Sequence, residues 1–357
     1  MNYRHTVAVT SNESVGGVRH DQRDAQTSDH VHHEVTVGGP RRSTVLIRRI
    51  LLGAYGIAYL AWFFEYGVII DRVSVSLSVA LFLVIGHIGK PWRDWLFLPA
   101  GLLLYATMWF AYDETRGAAD RIGLPLQVES VRNIDRFLFL GADPTVWLQR
   151  NFHRDNVGTQ DVIASIVYFS HFIVPVAAIA LLWINNRAQW ARFMRRFATV
   201  LAIGCVMFVL LPTAPPWMAA GGDRRIRLDA LPPLERSAGR GWSYLGFDGF
   251  VHVWIDGRDW SNPVAAMPSL HAGFSLFIVV FFWPMVQRRS LRVAMAMYPI
   301  VMGWALVYLA EHYVIDVLAG WAVVVFSFWI WAKIERRWDR RRNNRNHIAT
   351  ETIEVTA

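Results

Sequence analysis

The chain has 357 residues, of which 54% are hydrophobic, and it carries a formal net charge of +8. This hydrophobic fraction is too high for an ordinary soluble domain, and the apolar residues come in runs of about 18 to 22, the length that crosses a bilayer. The composition therefore excludes a soluble globular domain and predicts an all-α integral membrane protein. The only cysteine, Cys205, excludes both an intrachain disulfide and a thiolate metal cluster.

The first forty residues are polar and contain few large apolar side chains, which predicts a disordered tail over residues 1–40. They show no apolar core typical of a secretory signal peptide. Their histidines allow two interpretations, metal binding or a solvated tail. The pair at 32 and 33 is adjacent rather than helically spaced, which favours the solvated tail. The five histidines are His5, His20, His30, His32 and His33.

A bundle of about eight transmembrane helices is predicted from the apolar runs. The first three form an N-terminal group within residues 41–112, and the remaining five belong to a core over residues 161–335. Several of the seventeen tryptophans lie near predicted span ends, as in an interfacial aromatic belt. The predicted spans are residues 45–64, 73–89, 95–112, 161–184, 195–212, 266–286, 291–310 and 314–334.

The distribution of Lys and Arg predicts the orientation of the bundle. With eight spans, the basic residues near the span ends all fall on one side, which is then the cytoplasm. Both termini are therefore expected to be cytoplasmic, including a basic tail over residues 336–357. The same charge suits an anionic inner leaflet, and juxtamembrane charge explains it better than nucleic acid binding does. The prediction is a multi-pass protein of the cell membrane.

Two long connections, residues 113–160 and 213–265, are expected on the extracytoplasmic side. The first shows an apolar stripe at helical spacing and predicts an amphipathic helix on the membrane surface. Its stripe consists of Val128, Val131, Ile134, Asp135 and Leu138. The second is rich in Pro, Gly and Trp and predicts a folded cap over the mouth of the bundle. Arginines in the cap, such as Arg224, are either phosphate ligands or parts of a solvated loop.

Two short segments place histidines at the ends of apolar runs. Pro268-Ser269-Leu270-His271 opens the sixth span, and Asp316 follows His312 by four residues near the start of the eighth. Ionisable groups at the edge of an apolar span indicate function. On a helix, a spacing of four puts two side chains on one face, and a carboxylate beside an imidazole stabilises its charged form. The pattern predicts nucleophilic and acid–base chemistry on a phosphoester.

The predicted topology brings these groups to the same face of the membrane. The sixth span runs inward from His271, while the seventh ends at His312 and the eighth begins just before Asp316. All three side chains then face the extracytoplasmic side at similar depth. We expect the two imidazoles to lie within about 10 Å of each other, the reach of one phosphoryl group. We also expect a helix that carries His312 on its first turn.

The first segment resembles the Pro-Ser-x-His motif of the type 2 phosphatidic acid phosphatase superfamily, and His312-x-x-x-Asp316 resembles that superfamily's last motif. Leu270 between Ser and His, followed by Ala-Gly, is similar to the inositol phosphorylceramide synthase-like branch. A Pro-Pro-Trp segment within residues 212–217 is similar to that branch as well. The resemblance covers about residues 160–335 and implies a phosphatidic acid phosphatase-like core.

The resemblance implies a role for each residue. His312 would be the nucleophile that becomes a phosphohistidine, and Asp316 would orient it. His271 would protonate the leaving group and then deprotonate the acceptor, while Ser269 would bind a phosphate oxygen. Backbone N–H groups at the start of the sixth span favour an anion. No metal or other cofactor is required, since positioned donors can stabilise the transferred charge.

The sequence departs from the superfamily pattern in its cations. Residues 213–217 offer none, and Leu306 stands where the last motif has an arginine. A transferred phosphoryl group needs positive charge, so another arginine should reach the site. The candidates by topology are Arg116, Arg150, Arg154 and Arg224.

The roles of two further residues remain open. His171 lies within the fourth span, and its expected depth separates it from the surface site unless the helix bends near Pro175. A hydrogen bond inside the bundle is the favoured interpretation, although a histidine within the bilayer is also a functional candidate. Glu311, beside His312, either tunes the site or faces water.

Three functions are consistent with the sequence. The favoured one is a membrane enzyme that moves a phosphate-bearing group from a lipid phosphoester to an alcohol. The second uses water as the acceptor and is a lipid or polyprenyl phosphate phosphatase. The third is a transporter or a non-catalytic scaffold, which would be expected to place ionisable groups near the midplane; only His171 fits that description.

Overall fold

The computed structural model describes residues 42–67, 69, 72–222, 231–247, 251 and 264–356. These residues form α-helices and short connections, and the β-type contacts among them are isolated bridges that join Thr213 to Gln127 and to Ala265. The N-terminal histidines and the whole predicted tail, residues 1–40, lie outside the described residues.

The described α-helices are numbered here in chain order. They are α1 (Arg42–Tyr66), α2 (Arg72–His87), α3 (Trp92–Trp95), α4 (Phe97–Ile122), α5 (Glu129–Leu138), α6 (Pro144–Phe152), α7 (Thr159–Asn185), α8 (Arg187–Leu210), α9 (Arg240–Tyr244), α10 (Leu270–Phe282), α11 (Arg289–Tyr308) and α12 (Val314–Thr356).

Among the described residues, six stretches of helix are long and apolar enough to cross a membrane. The predicted multi-pass all-α architecture is therefore confirmed, whereas the count of about eight spans stays a prediction. Two of the expected spans, Val73–His87 and Leu270–Met285, are shorter apolar helices. The first ends before Gly89, whose φ of 81° a helix does not allow. The second reaches Pro284, which lacks the N–H that a continuing helix needs. The six full-length stretches are Arg42–Tyr66, Trp92–Tyr112, Thr159–Asn185, Arg187–Leu210, Arg289–Tyr308 and Val314–Asn344.

The core of the bundle lies among α7, α8, α10, α11 and α12. Small residues let two of these helices approach closely, as is common in membrane bundles. Gly273 of α10 faces Gly320 of α12, and a Cβ on Gly320 would lie 2.2 Å from the carbonyl oxygen of Ser269. Only glycine at position 320 is compatible with this crossing.

A cluster of arginines marks the end of the bundle opposite the histidines. Glu335 of α12 accepts hydrogen bonds from Arg196 at 2.6 Å and from Arg195 at 3.0 Å. At the neighbouring helix ends, Arg187 lies 2.9 Å from the ring of His87. Glu335 follows Asp316 by 19 residues, which corresponds to roughly 28 Å along one helix.

Helix α5 is amphipathic, but its buried face differs from the predicted stripe. Val131, Arg132 and Asp135 are buried, whereas Ile134 and Leu138 are exposed. Two polar interactions explain this orientation. The guanidinium of Arg132 binds the carboxylate of Asp143 at 2.7 and 2.9 Å, and Asp135 binds backbone N–H groups of the first two residues of α12.

Candidate active site

Ser269 begins the helix that carries the first histidine. Its Oγ accepts a hydrogen bond from the backbone N–H of Ala272 at 3.3 Å and so caps α10, a position that serine favours. The side chain is fully buried. Accepting this bond does not use the hydroxyl hydrogen, so the proposed contact with a phosphate oxygen is compatible with the cap. His271 lies in the first turn of α10.

His312 lies in a short connection and not on a helix, so the predicted helical placement of His312 is wrong. Helix α11 ends at Tyr308, and α12 begins at Val314. Asp316 is in the first turn of α12, where its Oδ2 accepts a hydrogen bond from the N–H of Tyr313 at 2.8 Å. This bond to the backbone caps the start of α12 at Tyr313, so the helix does not extend back to His312.

The spacing of four still brings the imidazole and the carboxylate together. Nδ1 of His312 lies 3.6 Å from Oδ2 of Asp316, which is longer than a hydrogen bond. His312 is 6% exposed and Asp316 is fully buried. Catalytic contacts are often long without substrate and shorten in the reacting complex. If Nδ1 of His312 faces Asp316, Nε2 is the nitrogen left for chemistry.

The two motifs meet through the backbone and through their rings. The N–H of Ser269 donates to the carbonyl oxygen of Asp316 at 2.9 Å. The ring centroids of His271 and His312 are 5.9 Å apart, inside the 10 Å that a shared phosphorus atom requires. Nε2 of His271 is buried and has no hydrogen-bond partner among the described residues. Such a group is costly without a partner and suits a site that binds a ligand.

Asp135 of α5 holds the start of α12 in place. Its carboxylate accepts hydrogen bonds from the N–H groups of Val314 at 2.8 Å and Ile315 at 2.9 Å. Burial raises the pKa of Asp135 to about 6, although these two bonds oppose the shift. The sequence placed Asp135 on a surface helix and gave no sign of this contact, because the residues are about 180 positions apart.

His171 lies beside His271, contrary to the expected separation. The rings of His171 and His271 are stacked with centroids 3.9 Å apart, and the ring of Tyr168 also stacks on His271, at 4.7 Å. The reason is that α7 and α10 begin at different depths in the bundle. His171 follows the first residue of α7 by twelve positions, roughly 18 Å, yet it meets the first turn of α10. The first turn of α10 is therefore recessed relative to the start of α7.

An arginine that the sequence did not single out supplies positive charge near the histidines. Nε of Arg236 donates to Oε1 of Glu311 at 2.7 Å, and Nη2 donates to Oε2 at 3.1 Å. The guanidinium also lies 4.6 Å from the ring centroid of Trp217 and within electrostatic range of His271. Burial lowers the pKa of Arg236, but Glu311 more than offsets this, and the net direction is upward.

The structure describes the side chains of two of the four arginines that were predicted to bind phosphate. Arg150 lies on α6 and Arg154 follows it, and both are exposed. Arg116 is part of α4, but its side chain lies outside the described residues, as does the whole of Arg224. The sequence held one usable signal for Arg236, because a carboxylate such as Glu311, next to His312, requires a cationic partner when it is buried.

No group of three or more His, Cys, Asp or Glu side chains in the described part of the chain is arranged to hold a metal ion. The expectation that the chemistry requires no metal or cofactor remains a prediction.

The fold and the two histidine motifs define a membrane enzyme of the phosphatidic acid phosphatase type. The family model of the PAP2 superfamily matches residues 129–330, more than half of the chain, and the chain belongs to this superfamily. The match begins about thirty residues before the part in which the motifs suggested a resemblance, so it includes α5 and α6. The enzyme class predicted from the motifs, a lipid phosphotransferase or phosphatase, is confirmed.

Three relatives are similar to this chain. Phosphoinositol dihydroceramide synthase of Bacteroides thetaiotaomicron is 29% identical over 255 residues, which cover 70% of this chain and 80% of the relative. The inositol phosphorylceramide synthase catalytic subunit aur1 of Schizosaccharomyces pombe is 22% identical over 65% of this chain and 53% of its own. Inositol phosphorylceramide synthase of Candida albicans is 27% identical over 48% of this chain and 36% of its own. The predicted synthase-like branch is confirmed.

No solved structure matches the chain.

Proposed function

We propose that this protein transfers a phosphate-bearing head group from a membrane phosphoester to an alcohol through a phosphohistidine on His312. The observation that carries the proposal is the grouping of His271, His312 and Asp316, with the two rings 5.9 Å apart and the carboxylate 3.6 Å from Nδ1 of His312. This arrangement provides a nucleophile, a group that orients it and a proton carrier around one volume.

The first half-reaction forms the covalent intermediate. Nε2 of His312 attacks phosphorus, the P–N bond forms, and the bond from phosphorus to the lipid's alcohol oxygen breaks. His271 gives a proton to that oxygen, so the lipid leaves as a neutral alcohol. Asp316 stabilises the positive charge on the imidazole ring of His312.

The second half-reaction reverses these roles. The hydroxyl oxygen of the acceptor attacks phosphorus while His271 takes its proton, and the P–N bond breaks to regenerate His312. Arg236 and the backbone N–H groups at the start of α10 are the proposed partners of the phosphoryl oxygens. Ser269 is proposed to donate its hydroxyl hydrogen to one of them.

The relatives' names favour a particular pair of substrates. One is named a phosphoinositol dihydroceramide synthase, and two are named for inositol phosphorylceramide synthase. We infer an inositol phosphate head group as the transferred unit and the hydroxyl of a ceramide-type lipid as the acceptor.

We also propose that the site faces the extracytoplasmic side and that both termini are cytoplasmic. The arginine cluster around Glu335 supports this orientation, because it lies roughly 28 Å along α12 from Asp316. Positive charge concentrates on the cytoplasmic side of membrane proteins.

Trapping the intermediate tests the chemistry. The full chain is incubated with a donor labelled at phosphorus and without acceptor, and the label on protein is measured after acid and alkali treatment. We expect a label that survives alkali and is lost in acid, as for a P–N bond, and no label in His312→Ala. Label on another residue, or full turnover by His312→Ala, would contradict the proposal. Incorporation of solvent oxygen into released inorganic phosphate would instead favour the phosphatase.

A further inference from the structure

The pairing of Arg236 with Glu311 gives the candidate site an unusual charge balance. The two side chains form a two-pronged ion pair and are only 17% and 8% exposed. Two parallel charge-assisted bonds make this one of the stronger types of pair. This cation near the histidines is therefore accompanied by a buried anion.

The pair adjoins the two histidines, since Glu311 neighbours His312 in the chain and Arg236 is within electrostatic range of His271. Glu311 directly precedes His312, and the N–H groups of both residues lie within hydrogen-bond distance of the carbonyl oxygen of Leu306. On the other side, Arg236 covers the ring of Trp217. The backbone N–H of Trp217 donates to the carbonyl oxygen of Ala310 at 3.2 Å. A phosphate held between the two histidines is exposed to the fields of both charges.

The anion in this pair discriminates between phosphates of different charge. A diester carries one negative charge whatever the pH, whereas a monoester carries close to two at pH 8. A guanidinium attracts both, but a fixed carboxylate repels each added negative charge, and the repulsion is stronger in a poorly hydrated site. The cost of removing a phosphate from water rises steeply with its charge. A net-neutral pair offsets less of that cost than a lone guanidinium does, so the dianion is disfavoured relative to the monoanion.

We propose that Glu311, through its pairing with Arg236, makes this site select phosphodiesters over phosphomonoesters. The inference rests on the proposed function and deepens it, because it assigns the choice of donor class to one residue. It also connects with the missing superfamily arginine, whose place is taken by Leu306. A site that never binds a dianion does not need the additional cation.

Equilibrium binding of two matched lipids tests the inference. The probes are a diacylglycerol phosphate monoester and its methyl diester with the same acyl chains, titrated calorimetrically into the full chain in mixed micelles at pH 8. We expect the unmodified protein to bind the diester at least about fivefold more tightly than the monoester. Glu311→Gln keeps the size and one acceptor, and it should shift the ratio of the two Kd values toward the monoester by about tenfold.

Glu235→Gln is the matched control. It removes a carboxylate from the residue next to Arg236, but this side chain is 62% exposed and contacts His153. We expect it to leave the ratio unchanged. An unchanged ratio in folded Glu311→Gln, or an equal shift in the control, would overturn the inference.

If Glu311→Gln does not fold, the unmodified protein still tests the inference. Equal or tighter binding of the monoester by the unmodified protein would overturn it. Failure of the proposed function is a separate result. It would appear as the absence of a His312 phosphoenzyme, while the Kd ratio would still report on the charge selection.

Discussion

The N–H of Ser269 donates a hydrogen bond to the carbonyl oxygen of Asp316 at 2.9 Å. This bond joins the two motifs through their backbones, 47 positions apart in the chain, and fixes the start of α10 against the first turn of α12. The separation of His271 and His312 therefore depends on rigid backbone and not only on side-chain packing. The predictions below follow from this frame and from the residues that support it.

Substitution of Gly320 should weaken the contact between the start of α10 and the first turn of α12. A Cβ at this position would lie 2.2 Å from the carbonyl oxygen of Ser269, so Gly320→Ala must push α12 away from α10. We expect a loss of about 1–3 kcal/mol in stability and a fall in kcat of at least about tenfold. Thermal unfolding in detergent and turnover measure the two effects.

Gly53→Ala is the control for that substitution. Gly53 also lies within a helix, α1, but nothing lies within 4 Å of its added Cβ. It should not lower stability or turnover. Equal losses in the two variants would show that close approach at Gly320 is not the cause.

The two proposed roles of Asp316, capping α12 and stabilising the charge on His312, should be separable. Asp316→Asn retains an oxygen that accepts the bond from Tyr313 but loses the charge that stabilises the imidazolium of His312. We expect kcat to fall by about a hundredfold or more while the unfolding temperature changes by only a few degrees. Asp316→Ala removes both roles and should lower both quantities. Near-normal turnover of Asp316→Asn would count against the proposed stabilisation.

The carboxyl group of Asp135 should make stability depend on pH. Burial, the largest effect, and the nearby carboxylates Asp316 and Asp143 raise its pKa to about 6 from an ordinary 3.8. The folded protein thus binds this proton more tightly than the unfolded chain does. The resulting stability is fully present below about pH 4 and is lost as the pH rises through about 6.

Comparison with Asp135→Asn isolates that contribution. The unfolding temperature of the unmodified protein minus that of the variant should increase as the pH falls from 7 to 5. The variant should also lower kcat at pH 7, because its amide places a donor against the N–H of Val314 or Ile315. A difference in unfolding temperature that stays constant or decreases over this range would contradict the assignment.

His171 should act through its ring and not through its nitrogens. The ring stacks on His271 at 3.9 Å and on Phe274 at 5.4 Å, so His171→Phe preserves the packing and should keep kcat within about threefold. His171→Ala opens a cavity and should cost about 2–5 kcal/mol of stability together with much of the turnover. If Phe impaired turnover as much as Ala at unchanged stability, a proton-transfer role would be indicated instead.

The sequence was informative wherever local physics decides the outcome. Apolar runs of bilayer length predict helices, because unpaired backbone groups are not tolerated in lipid, and Ser269 is a favoured cap for the start of α10. The motifs also led to the superfamily and the enzyme class. The prediction was less accurate where helices end, as with the short α10 and with His312 outside α12, because capping bonds involve specific side chains such as Asp316.

What the sequence by itself determined is the membrane-spanning helical class, the enzyme class and the two segments that carry the candidate chemistry. Only the tertiary structure decided which distant residues surround them: Arg236 as the nearby cation, His171 against His271, and Asp135 beneath the start of α12. The physical reason is that hydrophobicity and capping are properties of neighbours along the chain. The partners of a buried charge or ring depend instead on the relative levels of packed helices, which no local pattern records.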